Sequence, residues 1–159
     1  MNTSRFCREQ YAFVCDARKV LFNYCKTISP EHFLSGHTSF GRGGSIRNLL
    51  VHIANTYEFW IGKQCMKNEV AFTGYESIKS INDVILLFDA VDSTMHEFFA
   101  SMDEEGQKMI SYEINGERNS ASPLKLFSHV ISHEFHHKGQ ILSISRHLGY
   151  TPVDTDIMR

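Results

Sequence analysis

No stretch of this sequence reaches the roughly eighteen consecutive apolar residues that read as a membrane-crossing helix, so no such span is expected. Basic clusters are missing too. Lysine and arginine number 16 against 18 acidic residues, for a formal net charge of −2, and they are scattered along the chain. That argues against a nucleic-acid partner, which would need a basic face. Residues 1–9 lack the apolar core of a secretory signal, which makes the cytoplasm the expected compartment. Cys7, Cys15, Cys25 and Cys65 contain no C-x-x-C pair, and none lies in the histidine-rich part of the chain. They are expected to be reduced, mostly buried thiols rather than disulfides or a soft-metal site. Repeats, low-complexity tracts and linkers are likewise absent, so residues 1–159 read as a single domain. What is present, 42% apolar and 21% charged residues, is a globular composition with enough length for a proper core.

Four segments carry helical periodicity. The first runs from Thr3 or Ser4 to Cys25, with Tyr11, Val14, Cys15, Ala17, Leu21, Phe22 and Cys25 at three- and four-residue steps, and Ile28-Ser29-Pro30 ends it. A loop with Gly36, Gly41, Gly43 and Gly44 follows. Ser45 is a natural N-cap for the second helix, whose apolar stripe is Ile46, Leu49, Leu50, Ile53, Tyr57, Trp60 and Ile61. The third is expected to open at Ser80 and run to about Met102. Between Gln107 and Ser120 the pattern changes: an apolar-polar alternation from Met109 to Ile114 meets Asn115-Gly116, a hairpin signal. Its return strand is too polar to be more than an edge ribbon. Ser122 and Pro123 then mark the start of the last helix and Gly149 its stop, with an irregular tail after Tyr150. Four such helices predict an all-α four-helix bundle with a small hairpin before the last helix. The long loop and the hairpin imply crossovers, so a plain up-down-up-down order does not follow.

The last helix packs four of the chain's nine histidines into nine residues. His129, His133 and His137 stand four apart, in one column on one helix face. An imidazole column is a poor way to build a core and a good way to hold a divalent metal. Two imidazoles at i and i+4 bind one ion weakly, so a stable site needs a third ligand from another element. His52 is the best supplier, because it sits inside the apolar stripe of the second helix and so points inward. His129 extends the column and could be a fourth ligand or a neighbour that orients one. His136, about 100° around from His137 and about 60° from His133, falls at the flank. Gln140 returns to nearly the face of His133 and could orient a ligand or a bound water. His32, His37, His96 and His147 read as surface residues.

Residues 133–137 also spell H-E-x-x-H, the zinc-protease motif. The extended form requires a glycine and a third histidine where this chain has Gln140 and Ser143, and no glutamate follows Glu134 to supply a carboxylate ligand. The protease reading therefore fails. Glu134 stays a weak candidate for acid/base work, or a solvated residue one position off the histidine face.

With His52 after Asn48-Leu49-Leu50-Val51, Trp60 eight residues on, His133-x-x-x-His137 followed by Gly139-Gln140, and a Leu148-Gly149-Tyr150 ending, the chain resembles the DinB-like (DinB/YfiT) family of metal-dependent enzymes. The resemblance covers essentially the whole length. It implies a four-helix bundle with an up-down-down-up connection and a divalent metal, zinc or nickel, on three histidines corresponding to His52, His133 and His137. It further implies homodimers and thiol-dependent transfer or isomerisation using a low-molecular-weight thiol. The extra His129 and His136 depart from that pattern and leave the ligand count open.

A cation on three neutral imidazoles keeps its charge and would lower the pKa of a bound thiol or water, the logic of a thiol transferase or a hydrolase. The competing expectation is a non-catalytic, metal-stabilised stress-response bundle, with His129 closing the site as a fourth ligand.

Overall fold

The computed structural model describes residues 2–36, 44–106 and 108–159; His37, Gly41 and Gly43 of the glycine loop, and Gln107, lie outside them. Four long helical stretches begin on side chains that satisfy their first backbone N–H groups. In α1 (Thr3–Cys25) Asn2 accepts from the Arg5 N–H, and in α3 (Ile46–Tyr57) Ser45 accepts from Asn48. In α4 (Ile81–Glu105) Ser80 and Asp83 form a reciprocal capping box, and in α5 (Pro123–His147) Ser122 accepts from Lys125. Losing such a cap to alanine costs about 1 kcal/mol, so these serines set where each helix begins.

Three elements differ from the sequence expectation. Ser29-Pro30 ends α1 but also starts a short helix, α2 (Pro30–Leu34), by the same cap-and-proline device that opens α5. The second long helix does not continue as α: past Tyr57 it widens into a π-helical segment, Glu58–Cys65. Gly62 lies inside that segment, where an added Cβ would sit 2.8 Å from Glu58 Oε2 and 3.2 Å from Val70 Cγ2, so a side chain there would have to displace both neighbours. The third difference is α4, which runs a few residues past Met102.

The hairpin pairs β1 (Ile110–Ile114) with β2 (Glu117–Ala121), antiparallel. Asn115 (φ 53°) and Gly116 (φ 79°) both take the positive φ that a tight type I′ turn demands. The Gln64 amide extends this ribbon, donating to Glu113 O (3.2 Å) and accepting from Glu113 N–H (3.3 Å), which ties β1 to the π-helical segment.

Helix α3 packs on α4 and α5, and α1 packs on the same two helices. Leu49, Leu50, Ile53, Tyr57, Met95, Phe98, Phe99, Phe127 and Ile141 belong to one contiguous buried cluster, each side chain stabilising the fold by about 1.5–3 kcal/mol. No described helix is long and apolar enough to cross a membrane. Cys7 and Cys25 are buried, Cys15 and Cys65 half-buried, and all four are free thiols. Burial pushes the Cys7 and Cys25 thiols up, to about 11 and about 12.

Candidate metal centre

Because α3 and α5 pack together, the inward stripe of one faces the inward stripe of the other, and His52 meets His133 and His137. Ring centroids lie 4.8 Å apart for His52 and His133, 4.8 Å for His52 and His137, and 4.3 Å for His133 and His137. One ligating nitrogen from each falls within 4.8 Å of the others, and no other such group of histidine, cysteine or acid side chains occurs among the described residues. His137 is buried, while His52 and His133 are half-buried.

Donor chemistry decides whether a cation fits. His137 Nδ1 lies 2.7 Å from Gln140 Oε1, a carbonyl that can only accept, so Nδ1 carries the proton and Nε2 presents a lone pair. That Nε2 lies 3.1 Å from His133 Nε2. Two lone pairs cannot face each other at this distance unless a proton or a cation lies between them. With a proton from His133 there, His133 Nδ1 is left as a buried nitrogen without a hydrogen-bond partner. A cation in place of that proton would be faced by both Nε2 lone pairs, and two nitrogens on one zinc stand roughly 3.3 Å apart. The three residues fit a divalent metal.

The other candidates take separate places. Gln140 also reaches His136, Nε2 to Nε2, at 3.4 Å; His136 itself is exposed, with its ring 4.9 Å from that of His137. His129 is exposed and edge-on to Trp60 at 5.1 Å, its ring 5.9 Å from that of His133. Gln140→Leu removes the acceptor that holds His137 in its tautomer. Its metal affinity should fall about 10- to 100-fold in a competition titration, and an unchanged affinity would show that Gln140 does not orient the ligand. His96 and His147 are exposed, as expected. His32 is not: it is half-buried, with Nδ1 2.9 Å from the Tyr150 hydroxyl, because the chain after α5 folds back onto the start of α2.

Glu134 corrects the solvated alternative. It is 4% exposed, and Arg18 of α1 grips it with two hydrogen bonds, Nε to Oε1 at 2.8 Å and Nη2 to Oε2 at 2.9 Å. Tyr57 of α3 donates to Oε2 at 2.6 Å. The same guanidinium reaches Asp92 of α4 at 2.7 Å, and the Tyr11 hydroxyl donates to that aspartate at 2.5 Å. One buried polar network thus ties all four long helices together beside the histidines. Burial alone would pull the Arg18 pKa down, but Glu134 more than reverses it, and burial first, then Glu134, hold the Tyr57 hydroxyl protonated. The motif reading missed this network. Its signal was a charged residue inside an apolar stripe on two helices, Arg18 among Val14, Ala17 and Leu21, and Glu134 between Val130 and Ile141.

Burial first, then the neighbouring imidazoles, depress the His133 pKa to about 3, so the ring is neutral and ligand-ready at neutral pH. Above the unfolded pKa of about 6.5 the ring is neutral in both states and adds no slope. Between there and about 3 only the unfolded chain takes up the proton, so stability falls as pH falls. Metal-stripped protein should lose Tm below about pH 6.5, and His133→Gln should flatten that decline. Parallel Tm profiles for the two proteins would contradict this assignment.

Among families of known proteins, the DinB family model matches the chain over residues 1–159. No curated protein matches it.

Proposed function

The chain belongs to the DinB family, and from that premise we propose that it is a metal-dependent enzyme whose divalent cation, zinc or nickel, is held by His52, His133 and His137. The observation that carries this reading is the convergence of three imidazoles from two helices, with the His137 tautomer set by Gln140. In this reading residues 1–159 form one four-helix-bundle domain with an up-down-down-up connection, and two copies associate as a cytoplasmic homodimer. A cation on three neutral imidazoles keeps its full charge and lowers the pKa of a thiol or water that reaches it. The reaction is then thiol-dependent S-transfer, with a low-molecular-weight thiol as co-substrate, or a related hydrolysis. Glu134 acts as a brace rather than a proton carrier, since both its oxygens accept hydrogen bonds from Arg18 and one also from Tyr57. The candidate ligand group has three members among the described residues, and His129 turns instead to Trp60. Both points favour open coordination positions over the closed four-ligand site of a non-catalytic bundle.

Metal-loaded protein should transfer a thiol from a panel of low-molecular-weight thiols to electrophilic acceptors, and chelated protein should not. No metal-dependent turnover with any thiol or acceptor would remove the transferase reading.

A further inference from the structure

Two of the three histidines, His52 and His133, border a cleft of about 350 Å³ that His129 also lines, and its walls are unusual for a site built around a cation. His52, His129 and His133 contribute imidazoles, and Phe59, Trp60, Phe72 and Ile114 form the apolar lining. Among the described residues, no Asp, Glu, Lys or Arg lines it. Apart from the imidazoles, the polar side chains that do are hydrogen-bonded within the protein. Asn55 donates to Thr73 O (2.9 Å) and accepts from Thr73 N–H (3.0 Å), and the Thr56 hydroxyl donates to His52 O (2.8 Å). Phe72 and Ile114 are 45% and 37% exposed, two large apolar side chains left in water at the cleft rather than in the core. The Phe59 and Phe72 rings are 6.3 Å apart and tilted by 36°, and Phe59 stands edge-on to Trp60 at 5.1 Å. These rings offer faces and edges to a further flat ring.

We propose that this cleft binds an uncharged aromatic group, so that the ligand of the site joins a metal-seeking head to a flat apolar body. The head rests on the metal reading above; the body rests on the cleft alone. Size agrees, since a dry apolar cavity of about 150 Å³ already takes a benzene, leaving room here for a ring and its linker. Ligands whose bodies carry carboxylates or ammonium groups would lose hydration in the cleft and find no Asp, Glu, Lys or Arg side chain to pair with among its lining residues.

Trp60 is the only tryptophan in the chain, so its fluorescence reports on the cleft directly. Protein loaded with cobalt(II) should bind benzyl mercaptan about tenfold or more tighter than 2-mercaptoethanol or mercaptosuccinate, read from the visible absorption of the metal. Phe72→Ala, at an exposed position, should erase that preference while metal content and 2-mercaptoethanol affinity hold. In parallel, benzyl alcohol should perturb Trp60 fluorescence in metal-free protein, and Phe72→Ala should abolish the response. Equal binding of the three thiols by fully loaded protein overturns the aromatic cleft and leaves the metal reading intact. If the protein holds no metal, the metal reading fails and the benzyl alcohol response decides the cleft, its absence overturning the proposal. A dimer that forms through Phe72 and blocks the probes would overturn it as well.

Discussion

His52→Ala should strip the purified protein of its divalent metal, weakening affinity by about two to three orders of magnitude. The estimate follows from tight four-ligand zinc sites, worth about 10–16 kcal/mol, or roughly 2.5–4 kcal/mol per ligand. His52 is the only member of the triad from α3, so its loss leaves an i, i+4 pair that binds an ion weakly. The side chain is half-buried, and the variant should fold: in chelator its Tm should match that of the parent protein. His129→Ala is the control and should keep its metal, since His129 faces Trp60 and solvent. Elemental analysis of both variants is enough to decide. Undiminished metal in His52→Ala would remove the cross-helix ligand and with it the proposed centre.

Arg18→Met should destabilise the protein by about 3–5 kcal/mol, because a carboxylate 4% exposed would lose both of its guanidinium hydrogen bonds and its compensating charge. For a chain of this size that corresponds to a fall in Tm of roughly 6–20 °C. Tyr57 would still donate to Glu134, which offsets a little of the loss. The double variant Arg18→Met with Glu134→Leu should recover part of it, since an apolar pair of similar size removes the buried ion pair while leaving the Tyr57 hydroxyl without its acceptor. Urea denaturation of the single and double variants measures both effects. A single variant within 1 kcal/mol of the parent would mean that the network contributes little to holding the helices.

Much of the helical framework was legible before any tertiary contact was known. Ser45, Ser80, Ser122 and Pro123 act on backbone groups within four residues, so their meaning is local. The same holds for Asn115-Gly116, whose positive φ values make a tight turn in almost any surroundings. The π-helical widening after Tyr57 was not legible, because the stripe through Trp60 and Ile61 is compatible with a plain α-helix. What marks that segment is packing around Gly62 and the amide bridge from Gln64 to Glu113, 49 residues away in sequence.

The site divides along the same line. His133, His137 and Gln140 share one turn or two of one helix, and their common face follows from 3.6-residue periodicity alone. That His52 joins them could be argued only from its position in an apolar stripe; the 4.8 Å ring separations come from α3 packing on α5. Glu134 shows the limit most clearly. Its place in H-E-x-x-H suggested chemistry, and its offset from the histidine face suggested water, yet it pairs with Arg18, 116 residues earlier. By itself the sequence determined the caps, the turn and the histidine column, all interactions within a few residues. Only the tertiary structure decided which charge meets which partner, and which face of the histidines opens onto an aromatic cleft. Those outcomes depend on how two helices rotate against each other, and no local pattern encodes that rotation.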